Sequence, residues 1–108
     1  NLFSASLRWP HGLDWPLWQA ALQQLQAQCG DALVRVKGLL QVNGLDGPML
    51  VQWVAQQAPE MTPQNLWPDQ DTDSRLVLIV RHPQADFPAR LLAHWETLLN
   101  QLQVAPSA

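Results

Sequence analysis

Two stretches of this chain confine their apolar residues to a single helical stripe, and a helix with one stripe needs one covered side and one wet side. In the first, Trp18, Leu22, Leu25 and Cys29 follow at i, i+4, i+7 and i+11. Asp14 offers an N-cap, Pro16 is tolerated in the first turn, and Gly30 supplies a stop. Gln19, Gln23, Gln24 and Gln26 occupy the opposite, nearly uncharged side. In the second, Asp86 and Pro88 open a helix in which Leu91, Trp95, Leu98 and Leu102 keep the same spacing, widened by Leu92 and Leu99. The tail from Val104 to Ala108 is expected to fray.

The rest of the chain supplies strands to cover those stripes. From Ser4 to Trp9, Ala5, Leu7 and Trp9 fall on one face until Pro10, His11 and Gly12 break the run. From Leu33 to Val42, Val34, Val36, Leu40 and Val42 point one way while Arg35, Lys37 and Gln41 point the other. Gly38 interrupts the apolar side, the signature of a bulge or of a close approach by another backbone. The segment Asn43-Gly44-Leu45-Asp46-Gly47-Pro48 has turn chemistry, and Met49, Val51, Trp53 and Ala55 then alternate again, which predicts a hairpin. Leu76 to Val80 is a continuous apolar run and reads as a central strand buried on both faces. Residues 56–75 hold three Pro and four acidic residues with no period, so they read as a long irregular loop unless they conceal a short element. The expected fold is therefore α+β in two layers: a mainly antiparallel four-stranded sheet with both helices packed on one face, in the order β-α-β-β-β-α. A crossover through the first helix would leave the first and second strands parallel neighbours or separated by an inserted strand.

Composition narrows the function. A chain of 108 residues is one domain, residues 1–108, with room for one two-layer core. The net charge is -3 and the six Lys and Arg are scattered along the sequence, which argues against nucleic acid as a partner. The six Trp could stack bases, but most fall at core positions of the patterns above. One cysteine excludes an internal disulfide and agrees with a cytoplasmic location, and no apolar run approaches the ~18 residues of a membrane span. The first residue is Asn and the last are Pro-Ser-Ala, which reads as the cut edges of a longer polypeptide.

Motifs for chemistry are sparse. His11, His82 and His94, with Cys29, are the residue types that bind zinc and related ions, but no Cys-x-x-Cys or His-x-x-x-His spacing joins them and Cys29 lies on an apolar stripe. Asp69, Asp71 and Asp73 alternate as the first ligands of a calcium loop do, yet Ser74 and Val80 stand where that loop needs Gly and Glu, so a solvated acidic loop is the better reading. Ser4, Ser6, Ser74, Ser107 and Cys29 are potential nucleophiles with no elbow or evident base beside them. No G-x-x-x-x-G-K-[ST] is present and the one lysine, Lys37, lies in a strand, so no catalytic residue is assigned.

The segment Leu33-Val34-Arg35-Val36-Lys37-Gly38-Leu39-Leu40 is similar to the strand of consensus vlRaKGil in the C-terminal domain of CobW-type metal-handling GTPases. The preceding helix from Trp18 to Cys29, Trp67 in the loop, and Ser74 to Val80, which looks like the family's late strand, extend the resemblance over residues 3 to 103. Val80, Arg81 and His82 depart from the Gly that often ends that strand. The resemblance implies a non-catalytic regulatory or protein-interaction domain of a GTP-dependent metallochaperone, serving cobalt or zinc delivery or cobalamin synthesis. Its partners would be the N-terminal GTPase domain of the same polypeptide and a client metalloprotein. GTP, Mg and a transition metal would then belong only to that N-terminal domain.

Arg35 and Lys37 put two cations on the strand face opposite Val34 and Val36. They are either ordinary solubilising charges or a docking face where a forked Arg and a flexible Lys meet carboxylates. A self-contained ligand-binding or oligomerisation domain is the alternative class, since a sheet covered on one side leaves the other free.

Overall fold

A computed structural model describes residues 1–104 of the chain. The strands are β1 (Leu2–Trp9), β2 (Leu33–Leu40), β3 (Met49–Val54), β4 (Glu60–Pro63) and β5 (Ser74–Arg81). Helix α1 (Trp15–Cys29) follows β1 and runs into a 3-10 turn, Gly30–Ala32, and α2 (Phe87–Val104) closes the order. One five-stranded sheet results, ordered β1-β5-β2-β3-β4, with every neighbouring pair antiparallel. β5 is the strand inserted between β1 and β2, so those two run parallel without touching.

The helix-side core follows from the two periods in the sequence. Trp18, Ala21, Leu22, Leu25 and Cys29 of α1 and Leu91, Leu92, Trp95 and Leu99 of α2 are buried. Against them lie Trp9 of β1, Val36 and Leu40 of β2, Val51 and Trp53 of β3, and Leu76, Leu78 and Val80 of β5. The hinge between layers is an aromatic cluster, with Trp9 and Trp18 ring centres 5.7 Å apart and Trp18 and Trp95 6.3 Å apart. Each indole N–H donates to another element: Trp9 to Asn100 Oδ1 at 2.8 Å, Trp18 to the Gln41 carbonyl at 2.9 Å, and Trp95 to the Ala21 carbonyl at 2.6 Å. No buried side-chain polar atom among the described residues lacks a hydrogen-bond partner. Four of the six tryptophans belong to the core and are closed to base stacking: Trp9, Trp18, Trp53 and Trp95 are all buried.

Several local expectations are corrected. The sheet has five strands, because the stretch 56–75 contains β4 and the start of β5. β4 is four residues long, ends in Pro63 and is paired on one side only, to β3, so it is too short to show a period and tolerates a proline at its edge. β5 is an interior strand, paired on both sides, but it is not buried on both faces. It alternates Ser74, Leu76, Leu78 and Val80 inward with Arg75, Val77, Ile79 and Arg81 outward, and its outward residues are apolar enough to mask the alternation. Asp14 sits at the N-cap of α1 but its side chain makes no capping bond; Oδ1 accepts from Asn43 Nδ2 at 2.9 Å instead, tying the helix start to the β2–β3 turn. Val42 lies beyond β2 and forms an isolated parallel bridge with Leu13. Of the tail expected to fray, Val104 ends α2 and residues 105–108 lie outside the described part.

The two informative glycines behave differently. Gly30 ends α1 at φ +56°, a conformation that L side chains avoid, and its N–H bonds the Gln26 carbonyl. Gly38 needs no special φ; it marks a close approach, since a Cβ there would sit 2.8 Å from the Arg75 carbonyl oxygen and 3.4 Å from Leu76. The bulge in β2 lies elsewhere, between Leu33 and Arg35. Gly38→Ala should therefore push β2 and β5 apart and destabilise the fold by about 1–3 kcal/mol, read as a lower urea midpoint. An unchanged midpoint would mean that the two strands separate at no cost.

Candidate functional site: the open face of the sheet

Both helices lie on one side of the sheet, and the opposite side has no covering layer among the described residues. The strand registers lay out its residues in rows. One row runs Arg8, Arg75, Leu39, Leu50, Thr62; the next runs Ser6, Val77, Lys37, Gln52, Glu60; the third runs Ser4, Ile79, Arg35, Val54. Leu2 and Arg81 pair at the end. The centre of these rows is a shallow groove of about 680 Å³, floored by Leu39, Leu50, Val77 and Ile79 and flanked by Arg35, Lys37 and Arg75. Val77 is 46% exposed, unusual for a valine in the middle of a sheet.

Charge is distributed unevenly. The chain is acidic overall, yet of its six Lys and Arg five (Arg8, Arg35, Lys37, Arg75 and Arg81) lie on this face, leaving Arg90 on α2. Among the described residues the one strand carboxylate, Glu60, stands on the far edge strand β4. The cations fall into two groups. At one end, Arg8 Nη1 meets Asp71 Oδ2 at 2.6 Å, and Arg75 lies 3.7 Å from Asp69 and 3.9 Å from Asp71. Arg75 also donates to the Asp71 and Asp73 carbonyls and sits 5.3 Å from the Trp67 ring centre. At the other end Arg35, Lys37 and Arg81 make no ion pair among the described residues.

The alternating Asp69, Asp71 and Asp73 thus form a strap over the arginine end of the face. Asp69 Oδ1 accepts the Asp71 N–H and Asp71 Oδ1 accepts the Asp73 N–H, each at 2.9 Å. The Asp73 N–H above all holds the Asp71 carboxyl below its ordinary 3.8; desolvation, the next effect in size, opposes it, and the Arg8 and Arg75 guanidinium groups add smaller lowering effects.

The other candidates stay apart. His11 packs edge-on to Trp9 at 5.1 Å, His82 stacks on Phe87 at 3.9 Å and accepts the Gln84 N–H on Nδ1, and His94 lies beside Phe87 and Leu91 on α2. No group of three or more His, Cys, Asp or Glu among the described residues is placed to hold a metal ion. Cys29 is buried at the end of α1 and burial pushes its thiol up to about 11, so it is a protonated core side chain at neutral pH. Ser74 is also buried, its Oγ accepting the Gln41 N–H at 2.8 Å. No helix of the described residues is long and apolar enough to cross a membrane.

Sequence reasoning found Arg35 and Lys37 but missed Arg8, Arg75, Arg81 and the apolar floor. The signal was available as a two-residue alternation of Arg75, Val77, Ile79 and Arg81, and it was hidden because Val77 and Ile79 are as apolar as their buried neighbours.

An antiparallel sheet with all its helices on one side and a cationic groove on the other defines an open-faced α+β sandwich. The model of the cobalamin synthesis protein cobW C-terminal domain matches residues 3–99, and the chain belongs to that family. Among solved structures it resembles the zinc-bound YjiA GTPase from E. coli, with a TM-score of 0.70 and 22% identity over 90% of this chain. A zinc-bound triple mutant of YjiA is similar with a TM-score of 0.69 and 21% identity over 87% of this chain. The chain spans 29% of the length of each, and at these identities the likeness is one of fold. No curated protein sequence matches the chain.

Because Asp71 is held below 3.8 in the folded state, the strap's contribution to stability is present above 3.8 and lost as pH falls through the depressed value. Carboxyl carbon shifts of Asp71 should therefore titrate below those of a free aspartate. Asp71→Asn should abolish the effect and loosen the backbone amide of Asp73. A titration at the free value would contradict the strap.

Proposed function

We propose that this chain is a non-catalytic regulatory and protein-interaction domain of a GTP-dependent, metal-handling polypeptide, acting in the cytoplasm through the open face of its sheet. The observation that carries the reading is the concentration of five cations on the sheet face that the described residues leave uncovered in an acidic chain, three of them (Arg35, Lys37 and Arg75) around an apolar floor. A face kept only for solubility has no need of Leu39, Leu50, Val77 and Ile79 in a contiguous group. Arg35 and Lys37 are the docking residues, and Gly38 keeps β2 close to β5 so that they stand over the groove.

The chemistry of such a polypeptide falls outside these residues. The sequence has no phosphate-cradling glycine loop, and among the described residues no group of three or more His, Cys, Asp or Glu converges into a donor set. In this reading GTP, Mg and a transition metal belong to a GTPase domain of the same polypeptide, and no step of their chemistry is assigned to this chain. Delivery of cobalt or zinc, or a contribution to cobalamin synthesis, is the biological setting consistent with the family's description and with the zinc-bound GTPase that shares the fold.

Two measurements test the reading together. In light scattering the isolated chain should be a monomer that binds no GTP, whereas a persistent dimer would favour an oligomerisation domain. GTP turnover by the full polypeptide should differ from that of the GTPase domain alone by on the order of fivefold or more, the size of an ordinary coupling between sites. Equal rates would contradict a regulatory role.

A further inference from the structure

The two ends of the open face differ in one respect that identifies its partner. At the Arg8 and Arg75 end the chain's own Asp69–Asp73 strap supplies the carboxylates, and its Trp67 covers Arg75. At the Arg35, Lys37 and Arg81 end nothing in the described residues does so, although Arg35 and Lys37 flank the same apolar floor. Arg35 and Lys37 lie two residues apart on one face of β2, a separation of about 7 Å along the strand. A groove of about 680 Å³ has room for a few side chains of a docked segment.

We infer that the groove receives an acidic amphipathic segment of a client protein: carboxylates meet Arg35 and Lys37 while neighbouring aliphatic side chains lie on Leu39, Leu50, Val77 and Ile79. The inference rests on the reading of this face as a docking surface and adds the chemistry of what docks. The strap is the internal counterpart of that partner, since it shows how a short run of aspartates lies against the arginines of this face and satisfies them. The division of work is the usual one for such grooves, with the apolar floor supplying most of the affinity and the cations supplying orientation and rate of encounter. Glu60 at the far edge repels a carboxylate placed over β4 and so biases the segment toward β2 and β5.

The test uses the isotope-labelled chain and a short synthetic peptide of mixed Glu and Leu, with a Lys-and-Leu peptide and a Glu-and-Ser peptide as controls. The Glu-and-Leu peptide should shift amides of β2, β3 and β5 at the open face, and added salt should weaken its binding. The double variant Arg35→Glu, Lys37→Glu should weaken it on the order of tenfold, and Val77→Ser should weaken it with the salt dependence retained. Neither change touches the buried face, and the amide spectrum verifies that each variant is folded. Equal binding of the Lys-and-Leu peptide, or shifts confined to the helices, would overturn the inference. So would displacement of the peptide by the separately expressed GTPase domain, which would make that domain the occupant while leaving the docking role of the face standing. Failure of every peptide together with equal GTP turnover in the full polypeptide and the GTPase domain would bring down both readings.

Discussion

The contact on which the rest of this structure depends is the tryptophan cluster between the layers. Trp18 from α1 packs against both Trp95 from α2 and Trp9 of β1. Each of the three indoles also spends its N–H on a different element. Large rings with a polar handle are suited to this, because they bury much apolar area and still fix the angle at which helices meet the sheet. Trp95 reaches across to the Ala21 carbonyl and so locks the two helices side by side. With both helices held there, no chain remains among the described residues to cover the other side of the sheet.

That one-sidedness explains the electrostatics. A sheet face in water needs charge or polarity to stay soluble, and this chain has few charges to place. It puts nearly all its cations there and keeps most of its carboxylates in turns and loops. The exception, the Asp69–Asp73 strap, returns to the face and neutralises the arginines at one end only. Neutralising one end and leaving the other makes the face directional, which a uniform set of solubilising charges would not be. The apolar floor at the centre gives the directional field something to orient.

How much of this was legible depends on how local the cause is. The helices were plain because their stripes repeat over several turns: Trp18, Leu22, Leu25 and Cys29 are buried as the spacing requires. The hairpin followed from turn chemistry, whereas the crossover rule left the inserted strand as one of two arrangements, and the pairings decide it. β4 was not legible, since four residues ending in proline carry no period, and its place comes from pairing with β3. The outward side of β5 was misread for the opposite reason: Val77 and Ile79 resemble core residues, and only knowledge that nothing covers them shows otherwise. The same ambiguity split the candidate site, so Arg35 and Lys37 could be found from alternation beside buried valines while Arg8, Arg75 and Arg81 needed the strand order. Asp14 shows a smaller version, a good capping residue whose carboxylate was claimed by Asn43, distant in sequence.

The account stands on the sheet having one dry side and one wet side. Its most direct test is methyl relaxation by a soluble paramagnetic agent in the isolated chain. Methyl groups of Leu39, Leu50, Val77 and Ile79 should relax strongly, while those of Val36, Val51, Leu78 and Val80 should be shielded. Equal shielding of both sets would mean that the outer face is covered, and the account of this domain as an open docking surface would be wrong.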